Sequence, residues 1–140
     1  MTAVLEELGP AAVARWVQVS LDVLTAHREE LDRLNVFPVP DADTGRNLLD
    51  TLYAAAGTGE TLGALARGAT LGARGNSGMV LSQLLRGLAE SSGRHATADA
   101  RWLCDGLDLG AGYARAAFAV PVDGTALSVL AAAAAGAAAA

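Results

Sequence analysis

Aromatic side chains are nearly missing from this 140-residue chain, at 4%, and β-branched residues are sparse. That excludes a sheet protein, which needs both kinds to fill a pleated, half-buried surface. Alanine and leucine carry most of the 52% hydrophobic content instead, and glycine is frequent beside them. Alanine and leucine are strong helix formers, and small residues let helices approach closely. The expected fold class is all-α, in one domain long enough to bury a core. Cysteine is reduced to Cys104, which has no disulfide partner in the chain; Trp102, Leu103 and Leu107 around it point to a buried apolar place. Basic residues number ten against fifteen acids, for a net charge of −5. No basic stripe exists to neutralise a nucleic acid or an anionic membrane. Long hydrophobic runs are also lacking. Leu127–Ala140 is apolar but dominated by alanine and too short for a bilayer span. Met1–Gly9 carries Glu6 and Glu7 and no basic residue, unlike a signal peptide. The cytoplasm is the expected compartment.

What is present is a succession of helical patterns. Val13, Trp16, Val17, Leu21 and Leu24 form one apolar stripe in a helix from Pro10 to Leu34, with proline suited to the first turn. Leu48, Leu49, Leu52, Tyr53 and Ala56 define a second helix, stopped at Gly57-Thr58-Gly59. Leu62, Leu65, Ala66 and Ala69 make a third, and a fourth runs from near Ser77 through Leu88. A fifth spans Thr97 to Val120, with Leu103, Leu107, Ala111, Ala114 and Phe118 inward, and ends at Pro121. Gly106, Gly110 and Gly112 are expected to weaken or bend it. A last helix follows, N-capped by Thr125, and its pattern is still running at Ala140. His27 and His95 sit in polar surroundings and read as exposed.

Between the first two helices lies Asn35-Val36-Phe37-Pro38-Val39-Pro40-Asp41-Ala42-Asp43-Thr44-Gly45-Arg46-Asn47. Mg²⁺ takes oxygen ligands, usually one or two carboxylates completed by phosphates and water. Asp41 and Asp43 are spaced so that both can reach a metal, and the two prolines stiffen the approach. Gly45 lets backbone come near a phosphate, and Asp43 or Thr44 can cap the helix carrying Asn47. A helix-capping turn with solvated acids explains the same residues, and spacing alone leaves both readings open. An EF-hand fits poorly, with Gly45 at its fifth loop position and Leu52 at its twelfth.

Gly72-Ala73-Arg74-Gly75-Asn76-Ser77-Gly78 resembles an anion-binding nest opening a helix. It is not a P-loop, because no Lys-Ser/Thr pair follows the glycines. Arg74 can pair with phosphate or with an acid of the first turn. No Ser-His-Asp or Cys-His arrangement offers itself, and no catalytic side chain is singled out. An acidic protein can still bind a nucleotide when bound cations offset its charge.

Together these stretches carry a resemblance. Leu34 through Gly45 resembles the signature of DhaL-type kinase domains, most closely the ATP-binding subunit of bacterial fatty acid kinase. Gly72 through Gly87 resembles the second signature of that subgroup, and Pro121-Val122-Asp123-Gly124-Thr125 with Leu127-Ser128-Val129 its third. The resemblance implies an antiparallel helical barrel binding ATP at one end, with two Mg²⁺ ions bridging the phosphates. It implies Asp41 and Asp43 as metal ligands, with Asn35 a further one. It places Thr44, Gly45 and Asn47 along the phosphates, Asn76, Ser77 and Gly78 against phosphate or nucleotide, and Thr125 closing the site. A separate protein supplies the phosphoryl acceptor in such systems: a DegV-like fatty-acid-binding protein or, in the related dihydroxyacetone kinases, a dihydroxyacetone-binding subunit.

Three departures stand out. Ala42 replaces a common glycine, Arg46 a small polar residue, and Val120 an expected basic one. The family's helical domain also continues past the third signature, so residues 1–140 are expected to form a domain incomplete at its C-terminus. A truncated, non-catalytic helical interaction module is therefore an alternative reading, and oligomeric state stays open, a homodimer included.

Overall fold

In the computed structural model, residues 8–140 are described. They form six helices: α1 (Pro10–Leu34), α2 (Thr44–Ala56), α3 (Leu62–Gly72), α4 (Gly75–Arg94), α5 (Ala100–Ala116) and α6 (Ala126–Ala139). No strand occurs among the described residues, as the composition requires. The signal-peptide reading of the N-terminus rests mainly on residues 1–7, which lie outside the described part. No described helix is long and apolar enough to cross a membrane.

Each helix packs on the next, and α4 also touches α2 and α6. The chain alternates in direction. The starts of α2, α4 and α6 gather at one end with the residues that follow α1 and α5. The starts of α1 and α3 and the last turns of α4 lie around a smaller hollow. Short connections enforce this up-and-down order.

The main core joins Val13, Val17 and Leu21 of α1 to Leu52 and Ala55 of α2, Leu65 and Ala69 of α3, Leu85 and Leu88 of α4, and Trp102 of α5. A full burial of this kind contributes about 1.5–3 kcal/mol per large aliphatic side chain. On α1 the buried residues recur every fourth position, whereas Trp16 lies at the edge of the stripe, 40% exposed. A second cluster, Val80, Ala114 and Leu130, seats α6 on α4 and α5.

The α4–α5 contact differs from the expectation. α5 is a single helix, and its Gly106 and Gly110 lie against α4. A Cβ on Gly87 would stand 2.3 Å from the Gly110 amide nitrogen and 2.4 Å from the Gly106 carbonyl oxygen. Trp102, Gly106, Gly110 and Ala114 therefore form the buried face, and Leu103 is exposed. The Ser91 hydroxyl fastens the crossing by donating to the Trp102 carbonyl at 2.8 Å. α5 is also shorter than expected at both ends. Asp99 caps its start, accepting from the Trp102 N–H at 3.0 Å, and it stops at Ala116, before Pro121 is reached. His95 is part-buried rather than exposed, 2.7 Å from Asp105. Cys104 is half-buried, its thiol donating to the Ala137 carbonyl.

Candidate functional site

At the end where α2, α4 and α6 begin, a cleft of about 360 Å³ opens. Its position follows from the alternation of the helices: every second one presents its free N–H groups and positive dipole end to the same space. None of the cleft-lining side chains is basic, and no first turn of these three helices carries an acid. Two acids stand at its rim instead, Asp41 and Asp43.

The acid turn is held by Asn35. Its Nδ2 donates to the Val39 carbonyl at 2.9 Å, closing the proline-containing loop. Its Oδ1 accepts from the Thr44 N–H at 3.2 Å, from the Asp43 N–H at 3.4 Å and from the Thr44 hydroxyl. Asn35 thus performs the capping that Asp43 or Thr44 was expected to supply. Asp43 occupies the N-cap position yet makes no side-chain cap bond. Neither Asp43 nor Asp41 has a hydrogen-bonded or ionic side-chain partner among the described residues, which leaves both carboxylates free toward the cleft. With three donors on its amide oxygen, Asn35 acts here as the clamp of the turn; its place among the metal ligands is what the resemblance implies.

α1 contributes a second fixture. Asp32 Oδ1 accepts from the Arg46 N–H at 3.1 Å, satisfying a first-turn amide of α2. Gly45 packs so tightly on α1 that a Cβ would lie 2.3 Å from the Arg28 carbonyl oxygen. Ala42 adopts φ +52°, in the left-handed region. That explains why glycine is common there in the resembling domains, since an L side chain is disfavoured by about 1–2 kcal/mol.

The second turn is tighter than a nest between helices. Only Ala73 and Arg74 separate α3 from α4, so Gly75-Asn76-Ser77-Gly78 is the first turn of α4 itself. The first intrahelical bond is Gly78 N–H to the Arg74 carbonyl at 3.0 Å, and the N–H groups of Gly75, Asn76 and Ser77 precede it. Those three residues line the cleft. Gly75 has φ +60°, and a Cβ there would strike Asn47 Nδ2 at 2.4 Å.

Thr125 caps α6, accepting from the Leu127 N–H at 3.3 Å and donating to the Val122 carbonyl at 2.8 Å. Phe37, Val39, Phe118, Val120 and Val122 give the cleft an apolar wall. Asp41, Asp43, Thr44, Asn47, Asn76, Ser77, Thr125 and Asn35 are therefore gathered around one space, although they come from distant parts of the chain. Gly45 and Gly78, expected along the phosphates, lie behind it. Their missing side chains admit the Arg28 carbonyl and the Thr51 hydroxyl.

A sequence model of the DAK2 domain matches residues 38–140. The chain belongs to the DAK2 domain family. This is a kinase-related family, in agreement with the resemblance read from the three signature stretches. An uncharacterized protein of Staphylococcus saprophyticus and Protein YloV of Bacillus subtilis are each 37% identical over 115 residues, covering 76% of this chain. An uncharacterized protein of Staphylococcus aureus is 35% identical over the same length. The chain spans about a fifth (21%) of the length of these relatives.

Two residues escaped the sequence reading: Asp32 of α1 and Thr51 of α2. Asp32 carries no spacing signal that ties it to α2, which only the fold brings beside it. Thr51 lies within an apolar helix, and only the meeting of α2 with the start of α4 brings its hydroxyl the Arg74 N–H.

Proposed function

We propose that this chain is the ATP- and Mg²⁺-binding domain of a phosphotransferase of the fatty-acid-kinase type, acting on an acceptor presented by a separate DegV-like protein. One observation carries the reading: Asp41 and Asp43, both unpartnered, share a cleft with three helix starts and no basic side chain. A triphosphate entering that space meets free N–H groups, but its charge exceeds what helix ends can balance. The two carboxylates can hold Mg²⁺ at the place where those phosphates would lie. The donor set fits, because Mg²⁺ takes one or two carboxylates and completes its shell with phosphate oxygens and water. No cluster of three or more His, Cys, Asp or Glu occurs among the described residues.

Bound Mg²⁺ would supply charge neutralisation on the phosphates. The chain's own residues do the positioning. Asn35 and Asp32 hold the acid turn, Thr44 and the first turn of α4 present donors, and the apolar wall excludes water on one side. The resemblance implies two ions for this pair of carboxylates. The test is calorimetry of ATP binding with Mg²⁺ and with EDTA: measurable binding only with Mg²⁺ is expected, and equal binding in EDTA would remove the metal from the account.

Membership of the DAK2 family supports a second reading, a dihydroxyacetone kinase L-type subunit. The acceptor decides between them. Transfer to a carrier-bound fatty acid and not to dihydroxyacetone is expected; the opposite result would select the second reading. Failure of both with intact ATP binding would favour a non-catalytic module.

A further inference from the structure

Thr51 is fully buried, yet its hydroxyl is used from both sides. It donates to the Asn47 carbonyl at 2.7 Å and accepts from the Arg74 N–H at 3.0 Å. The first bond belongs to the opening turns of α2. The second reaches the peptide immediately before α4. Gly78, in the first turn of α4, approaches the same oxygen so closely that a Cβ would lie 2.3 Å from it. One turn away, Asn47 abuts Gly75 in the same manner. A single oxygen atom thus joins the helix that starts at the acid turn to the helix that starts at the glycine turn. Valine is near in shape to threonine but cannot make either bond, and it would leave the part-buried Arg74 N–H without that acceptor.

We infer that Thr51 is a positioning residue that fixes the spacing between the carboxylates of Asp41 and Asp43 and the phosphate-facing N–H groups of α4. The inference rests on the Mg²⁺–ATP reading of the cleft. Its consequence is a coupling: Mg²⁺ strengthens ATP binding only if carboxylates and N–H groups stand at the distance that one Mg²⁺–triphosphate unit spans. The strengthening is reciprocal and measurable as a ratio of dissociation constants. Loss of the hydroxyl lowers that ratio, whereas a merely structural loss weakens both dissociation constants alike.

The experiment is titration calorimetry on the full chain with ATP over a range of Mg²⁺ concentrations, far below the melting temperature. The proteins are wild type, Thr51→Val and Thr51→Ser. Thr51→Val is expected to reduce the Mg²⁺ enhancement of ATP affinity at least tenfold, and Thr51→Ser to restore it to within about threefold of wild type. An unchanged enhancement in Thr51→Val, or a serine variant as impaired as the valine one, overturns the inference while leaving the nucleotide reading intact. A wild-type chain that binds no ATP with Mg²⁺ overturns that reading and this inference together. Should Thr51→Val not fold, Thr51→Cys carries the same test, because its thiol is a weak donor and acceptor.

Discussion

Asn35 shows how much one amide can organise. By closing the loop onto Val39 and capping α2 through Thr44, it releases Asp43 from the task its position suggests. That division of labour is not legible in the sequence. Spacing gives which side chains can cap a helix, and only the folded loop decides which one does. Ala42 is the clearest departure at this scale. Its φ of +52° predicts that Ala42→Gly raises stability by about 0.5–1 kcal/mol, the relief of the left-handed conformation outweighing the added freedom of the unfolded chain. Urea denaturation measures it, and a destabilised glycine variant would show the conformation to be unstrained. Glu90 offers a pH-dependent case. The Tyr113 hydroxyl donates to it, the largest cause of a lowered carboxyl pKa, with Arg94 adding to the effect against some desolvation. The same bond raises the Tyr113 pKa. A lowered acid contributes stability above its unfolded value near 4.5 that is lost as pH falls through the folded one. A raised phenol contributes below its unfolded value of 10.0 and loses that as pH rises through the folded one. Melting temperatures of wild type and Tyr113→Phe should therefore differ most between about pH 5 and 9 and converge beyond both limits. A gap independent of pH would contradict this.

At the scale of elements, the apolar period was readable for most helices, but a side-chain cap only for α6. The buried positions Val13, Val17 and Leu21 lie where the apolar pattern puts them, and Thr125 caps α6 as read. α5 was misjudged because glycine carries two opposite meanings. In an isolated helix Gly106 and Gly110 only weaken it; against Gly87 they permit a backbone contact that no larger residue allows. The two meanings separate by mutation. Gly87→Ala drives a methyl into the α5 backbone, where the nearest atom would be 2.3 Å away, and should cost about 2 kcal/mol or more. Gly112→Ala meets nothing within 4 Å and should stabilise by about 0.5–1 kcal/mol through helix propensity alone. Thermal unfolding of both variants checks the pair, and equal effects would mean that the glycine contact is not tight. The ends of α5 were missed for a related reason. Pro121 forbids continuation of a helix but does not require it to reach that far, and the chain leaves α5 at Ala116 so that Phe118 can pack beside Val80 and Leu130.

Across the described residues, the alternation of six helices makes a net charge of −5 compatible with the proposed site for phosphates. Positive potential comes from the starts of α2, α4 and α6, because no basic side chain lines the cleft. All ten basic residues of the chain are arginines. Residue chemistry alone left each turn open to a bland reading, and the resemblance implied that both face one nucleotide. That they share one cleft is a property of the topology, through Thr51 and the contact of Asn47 with Gly75. Gly45 was expected to bring backbone near a phosphate, and the resemblance put Gly78 against phosphate or nucleotide; in the fold both also make room for a neighbouring helix. The central claim is that Asp41 and Asp43 hold the cation that lets an acidic protein bind ATP. Its most direct test is calorimetry of Mg²⁺–ATP binding to wild type and to the Asp41→Asn/Asp43→Asn double variant, with circular dichroism confirming the fold. Affinity should fall at least a hundredfold, about 2.7 kcal/mol or more. Unchanged affinity in a folded double variant would contradict the account.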